Sequence, residues 1–186
     1  MNISREDRRT VRTKSSILEA YSKLLEEKTY YRITVTDVAE KAGINRKTFY
    51  SYYNSIEDMQ EKLEEALTEK YRPLLENVHL AEGFDAYAFF AEFNKYIEED
   101  LPVFEVLAKA GRIAQITEKL NNIIVEVFLR DVGQEDNEKS ILFARYAASG
   151  IVAMFAAWSY SHTMSLEEFT DMTAKISLAG YAAIHL

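Results

Sequence analysis

An all-α chain is predicted, from three features of the sequence. Only 2 prolines and 6 glycines interrupt 186 residues. Long stretches are rich in Leu, Ala, Glu and Lys, and apolar residues recur at three- and four-residue spacing. With 48% hydrophobic residues the chain can form one large domain, or a small domain joined to a larger one.

From Thr10 to Glu27, Ile17, Tyr21, Leu24 and Leu25 share one face and Leu18 widens it, as an amphipathic helix requires. The next helix is short. Thr34 suits its N-cap, Asp37 completes a weak capping box, and Val35, Val38, Ala39 and Ala42 form its buried side. Gly43 fits the left-handed position that ends a helix, and Asn45 caps a third helix starting at Arg46. Ser55 with Asp58 opens a fourth, whose apolar face is Ile56, Met59, Leu63 and Leu67, and Pro73 is expected to kink or end it. Further helices are expected near Phe84–Glu99, Pro102–Ala110, Arg112–Arg130, Glu138–His162 and Leu166–Ala183. Pro102 suits a first turn, Gly83 and Gly133 mark loops, and Ser165 with Glu168 reads as a capping box.

Charge is divided unevenly. Met1–Tyr53 holds 11 Lys/Arg against 7 Asp/Glu, which leaves 11 against 23 for the remainder of the totals of 22 and 30. The first part is therefore basic inside an acidic protein, and a gathered basic face can bind a polyanion whatever the overall sign. Cysteine is absent, which removes disulfides, thiolate nucleophiles and sulfur-based zinc sites. The polar start MNISREDRRTVRTK has no signal-like apolar run, so a cytoplasmic protein is expected. Ile141–Trp158 is apolar, but alanines and Arg145 argue for a buried or interfacial helix and against a membrane span.

Two short helices joined by a glycine turn have the form of a helix-turn-helix. The second opens with Arg46, Lys47 and Thr48, types that read base edges: cations donate to guanine, and threonine offers a hydroxyl and a methyl. Tyr50 and Tyr52 carry hydroxyls for phosphates, while Phe49 and Tyr53 are expected to pack inward. Helix amides at Thr34 and Thr36 are expected to hold a phosphate. With the cap Asn45, the expected DNA-contacting set is Thr34, Thr36, Asn45, Arg46, Lys47, Thr48, Tyr50 and Tyr52. Tyr30 and Tyr31 are expected to pack the loop against the first three helices.

The stretch ITVTDVAEKAGINRKTFYSYYNSIEDM, preceded by the Thr10–Glu27 helix, resembles the DNA-binding domain of TetR-family transcriptional regulators. VAEKAGI and the triplet Thr48-Phe49-Tyr50 carry the likeness, which runs from about Thr10 to Leu63. The resemblance implies an N-terminal three-helix helix-turn-helix domain, residues 1–54, joined by a fourth helix to a larger helical regulatory and dimerisation domain, residues 55–186. It further implies binding to double-stranded DNA and a pocket for a small-molecule effector. The family often has lysine at the start of the fourth helix where this chain has Ile56, which puts that phosphate contact in doubt. Arg5, Arg8, Arg9, Arg12 and Lys14 are candidates to supply the charge, as a flexible arm or from the start of the first helix, and a solvated tail is the plain alternative.

For the larger domain, Phe89, Phe93, Phe104, Phe128 and Trp158 are candidates to line an effector pocket, against the simpler reading that such aromatics are core. Small residues along Glu138–His162 suggest close packing with a second copy; Ala148, Ile151, Phe155 and Tyr181 are the expected homodimer contacts. His79, His162 and His185 show no metal-ligand spacing, and no catalytic motif is present, so neither metal, cofactor nor enzyme activity is expected. The reading is a homodimeric repressor released from a palindromic operator by an effector. The alternatives are an activator or co-regulator acting through a protein partner, and a ligand-binding or interaction protein without specific DNA recognition.

Overall fold

The computed structural model describes residues 5–77, 85–131, 138–161 and 163–184. Among them are eight α-helices and no strand: α1 (Arg5–Glu27), α2 (Val35–Lys41), α3 (Arg46–Tyr50), α4 (Ile56–Glu76), α5 (Ala86–Lys109), α6 (Ile113–Asp131), α7 (Glu138–Ser161) and α8 (Leu166–Ile184). A single 3-10 turn, Tyr30–Arg32, follows α1. The chain forms two compact units, one of residues 1–65 and 103–113, the other of 66–102 and 114–186.

The first unit closes around Ile17, Ala20, Tyr21 and Leu24 of α1, Val38 of α2, Phe49 of α3, and Ile56 and Met59 of α4, with Ile33 and Tyr53 from the connections. The expected stripes of α1 and α2 face this core together with Ile56 and Met59 of α4, whereas Leu63 of the expected α4 face is not part of it and Leu67 is buried in the second unit. The core also takes in Val106 and Ala110 at the end of α5. Gln60 Nε2 donates to the buried Tyr21 hydroxyl, and Arg112 Nε donates to Glu64, whose side chain is 1% exposed. Gly111, at φ 71°, lets the α5–α6 turn pass close to the Tyr30 ring, which lies 3.5 Å from where a Cβ would stand.

In the second unit, Phe90, Ala86 and Ala174 form a small buried cluster against which Phe89 and Ile151 rest. The Tyr71 hydroxyl and Lys70 Nζ both donate to Asp100 Oδ2 (3.1 and 2.7 Å), tying α4 to α5. α7 lies along α8. Phe143 is 3.4 Å from a Cβ placed on Gly180, and Trp158 stacks on Phe169 at 5.1 Å. The Ser165–Glu168 capping box forms as the spacing predicts, with both reciprocal hydrogen bonds present.

Four details differ from the sequence reading. α5 is one helix through Pro102, not two, and α4 continues past Pro73 to Glu76. Proline removes a helical donor from the carbonyl four residues earlier. Here Pro102 and Glu98, like Pro73 and Glu69, are exposed, so water can satisfy the orphaned carbonyls. The buried stripe of Phe90, Phe93, Ile97, Phe104 and Leu107 runs on across Pro102. α1 begins at Arg5, five residues earlier than its apolar pattern. Tyr30 and Tyr31, expected to pack the loop against the first three helices, stay 45% and 69% exposed. The loops at Gly83 and Gly133, together with Phe84, His79, His162 and His185, lie outside the described residues.

Candidate nucleic-acid interface

The α2–turn–α3 element is fixed at each joint by a local interaction. The Thr34 hydroxyl accepts from Asp37 N (3.2 Å) while Asp37 Oδ2 accepts from Thr34 N (2.9 Å), a complete capping box for α2. Gly43, at φ 66°, ends α2, with Ile44 N donating to Ala39 O at 3.0 Å. Asn45 Oδ1 then accepts from Lys47 N at 2.8 Å and starts α3.

Phe49, fully buried, sets the rotation of α3. At 100° per residue, Lys47 lies about 160° from Phe49, the outermost position of the helix, with Arg46 and Tyr50 on one flank and Thr48 on the other. Arg46 and Lys47 are exposed, Tyr50 is 47% exposed, and Thr48 is half-buried. The Arg46 guanidinium carbon lies 6.0 Å from the Tyr50 ring centroid, so the two side chains form one cationic, hydroxyl-bearing ridge. Tyr53 packs inward beside Phe49 at 5.6 Å between ring centroids.

Tyr52 and Thr34 are placed less openly. Tyr52 is half-buried against the core, and its carbonyl accepts from Lys62 Nζ at 3.1 Å. Thr34 is exposed, but its amide and hydroxyl both donate to the Asp37 carboxylate, which Lys28 also contacts at 2.6 Å. These donors hold the Asp37 carboxyl down at about 2, with the Lys28 hydrogen bond the largest cause. Thr36 is half-buried. Ile56 is buried in the core, and the exposed Glu57 and half-buried Asp58 make the first turn of α4 acidic.

Cations in this unit fall into two sets. Lys23, Lys28, Lys41, Lys62, Lys109 and Arg112 each reach a carboxylate within 4.0 Å. Arg8, Arg9, Arg12, Lys14, Arg32, Arg46 and Lys47 have no acidic partner among the described residues. A polyanion meets the second set uncompensated.

Residues 17–63, which contain this element, match the family described as bacterial regulatory proteins, tetR family. Over those residues the chain is similar to the TetR family. It is 23% identical over 155 residues to the uncharacterized HTH-type transcriptional regulator YxbF of Bacillus subtilis (strain 168). That match takes in 80% of this chain and spans 40% of the length of that relative. Among solved structures, the fatty acid degradation regulator FadR from Bacillus halodurans superposes with TM-score 0.62 at 15% identity, covering 89% of this chain and 94% of that one. The dihydroxyacetone kinase operon activator DhaS gives TM-score 0.56 at 19% identity, covering 90% and 94%. These two likenesses are of fold.

The residues that the TetR resemblance suggested for the larger domain are distributed as follows. Phe89 stacks on Phe93 (5.7 Å), Phe93 meets Tyr71 edge-on (5.5 Å), Phe128 lies against Phe143 (5.2 Å), and Trp158 Nε1 donates to Met164 O (3.1 Å). Phe104 is buried on the 103–113 segment, which belongs to the first unit. Ala148 and Phe155 are buried within the protomer, Ile151 is half-buried against the Phe90 cluster, and the Tyr181 side chain lies outside the described residues. Sequence reasoning missed a different stripe of α7. Leu142, Tyr146, Ala153 and Ala157 are exposed at spacings of four and seven, with Ile176 and Leu178 exposed on α8. Among the described residues no cluster of metal-ligating side chains occurs, and no helix is long and apolar enough to cross a membrane.

Proposed function

We propose that this protein is a cytoplasmic, homodimeric transcriptional regulator that binds a palindromic operator through α3 and represses by occupying it. The observation that carries the reading is the outward ridge of Arg46, Lys47 and Tyr50, held in register by buried Phe49 and capped by Asn45. Lys47 and Thr48 set base preference. Tyr50 anchors a phosphate, with Asn45, Thr34, Thr36 and Tyr52 supporting at the edges. Repression is the adopted sign because occupancy alone suffices for it, whereas activation requires a further surface for a protein partner. That the neighbour DhaS is described as an activator keeps this second sign open to test by transcription in vitro, where added protein should lower output from its own operator.

Reading both halves of a palindrome requires two copies, joined through α7 and α8, with recognition helices about 34–36 Å apart, one turn of duplex. Leu142 at 61% and Tyr146 at 74% exposure on α7, and Ile176 at 52% on α8, are apolar side chains that the protomer leaves uncovered, which supports this assignment. An apolar effector among Phe89, Phe93, Phe128 and Trp158 would release the operator only by binding the non-operator arrangement more tightly. No cofactor takes part. The test is binding to enriched duplexes. Lys47→Ala and Thr48→Ala should change which bases are selected, and Tyr50→Phe should weaken all sites alike by about 1 kcal/mol for one lost hydrogen bond. Unchanged base preference in both α3 variants would defeat the assignment.

A further inference from the structure

We propose that the first turns of α1 are a second DNA-contacting surface, in which Arg8, Arg9 and Arg12 hold backbone phosphates beside the half-site read by α3. The proposal rests on the DNA-binding reading above and adds the part of the partner that α3 does not reach.

Four observations carry it. The helix projects: from Arg8 on, its first buried residue is Ile17, and at 1.5 Å per residue Arg8 stands about 13 Å beyond it along the axis. That extension therefore contributes little to the core. Its arginines share a side, because positions 8, 9 and 12 fall within an arc of about 100°, and all three are exposed. Lys14 lies on a different side and is not included. The neighbouring hydroxyls do not compete, since Thr13 Oγ1 and Ser16 Oγ donate to the carbonyls of Arg9 and Arg12 at 2.9 and 3.0 Å. The arginines also lack acidic partners among the described residues, whereas Lys23 on the same helix is tied to Glu19 at 2.7 Å.

The partner follows from charge and spacing. The start of α4 offers the duplex no cation, because Ile56 faces the core, Glu57 and Asp58 follow it, and Lys62 is held by Asp58 at 3.0 Å. Phosphate neutralisation beyond α3 must come from elsewhere in the unit, and the α1 stripe is its largest group of unpaired cations among the described residues. Arg8 and Arg12 are about 6 Å apart along the helix, close to the rise of two phosphates on one strand. Guanidinium forks match phosphate oxygens geometrically and are indifferent to the base attached.

The test is the salt dependence of DNA binding by the full-length chain, measured by fluorescence anisotropy on its selected operator and on a random duplex. Each phosphate contact contributes about 0.9 to the slope of log K against log salt. The triple variant R8Q/R9Q/R12Q should flatten that slope by about 2.7 on both duplexes. Raising salt from 50 to 200 mM would then cost the variant about 40-fold less affinity than it costs the wild type. Base preference and melting temperature should be unchanged, and K23Q should leave the slope as it is. A triple variant that keeps the wild-type slope overturns the proposal, as does one that loses selectivity for flanking A·T pairs, which would place these side chains in the minor groove. A variant whose DNA slope is unchanged but which no longer binds phosphatidylserine vesicles would assign the stripe to a membrane surface instead. If the wild type selects no operator yet shows the steeper slope on random duplex, the reading of α3 falls and the arginine stripe stands.

Discussion

The Asp37 carboxylate joins the end of the first helix to the start of the second, and its removal has a calculable consequence. Its Oδ1 lies 2.6 Å from Lys28 Nζ, and its Oδ2 accepts from the Thr34 amide and hydroxyl at 2.9 and 2.8 Å. These contacts hold the carboxyl at about 2 instead of 3.8. At 1.36 kcal/mol per pH unit the full displacement corresponds to about 2.4 kcal/mol. With 27% of the side chain in water, screening leaves on the order of 1 kcal/mol of it in stability. The Thr34 hydrogen bonds of the capping box are among those contacts, and the Thr34 hydroxyl still accepts from the residue 37 amide after substitution, so Asp37→Ala should destabilise α2 by about 1 kcal/mol at pH 7, and Asp37→Asn, which keeps an acceptor, by less. Because folding depresses this carboxyl, its contribution is complete above the unfolded value near 3.8 and is lost as pH falls towards 2. The gap between wild type and Asp37→Asn should close over pH 5 to 2. Trp158, the one tryptophan, lies in the other unit, so the readout is hydrogen exchange at Val38 and Ala42, whose amides donate to Thr34 O and Val38 O. Unchanged exchange in Asp37→Ala at pH 7, or a gap that persists undiminished at pH 2, would refute the reasoning.

Gly43→Ala should cost about 1 kcal/mol in the same exchange measurement and weaken operator binding, because φ is 66° while the space around the position is open. Gly43→Asn should recover part of that loss, and an Asn variant no better than Ala would show that strain is not the cause. Tyr146→Asp should convert a dimer to a folded monomer in light scattering, since Tyr146 is 74% exposed in the protomer. Ala148→Asp should lower the melting temperature of the protomer itself, since Ala148 is fully buried. The reverse pattern would exchange the roles of the two faces of α7.

The helix-turn-helix unit was legible because its structure is local. Thr34 with Asp37, Gly43, Asn45, and Ser55 with Asp58 each act within a few residues, so their types and spacing carry the geometry directly. The 3.6-residue period also separated Phe49 from Tyr50 correctly. Tyr52 and the face of α7 were harder to place, because an aromatic or alanine stripe reads the same whether it meets its own protomer or another. The return of Val103–Ile113 to the first unit left no local sign, since Val106, Ala110 and Arg112 find Tyr21, Met59 and Glu64 only after the chain folds back. Pro102 misled because the effect of a proline depends on whether the orphaned carbonyl faces water, which the sequence does not record. The arginines at the start of α1 were visible as charges, and their lack of partners became apparent only once the other cations were seen to be paired.

The central claim is that α3 reads sequence as one half of a symmetric pair. Selection of wild-type protein on random duplex DNA at moderate salt tests it most directly. The expected outcome is one enriched motif with two inverted half-sites whose centres are about one helical turn, 10–10.5 base pairs, apart, and loss of that motif with Lys47→Ala. Retention of duplexes with no enriched sequence, or enrichment of a single half-site unaffected by Lys47→Ala, would contradict it.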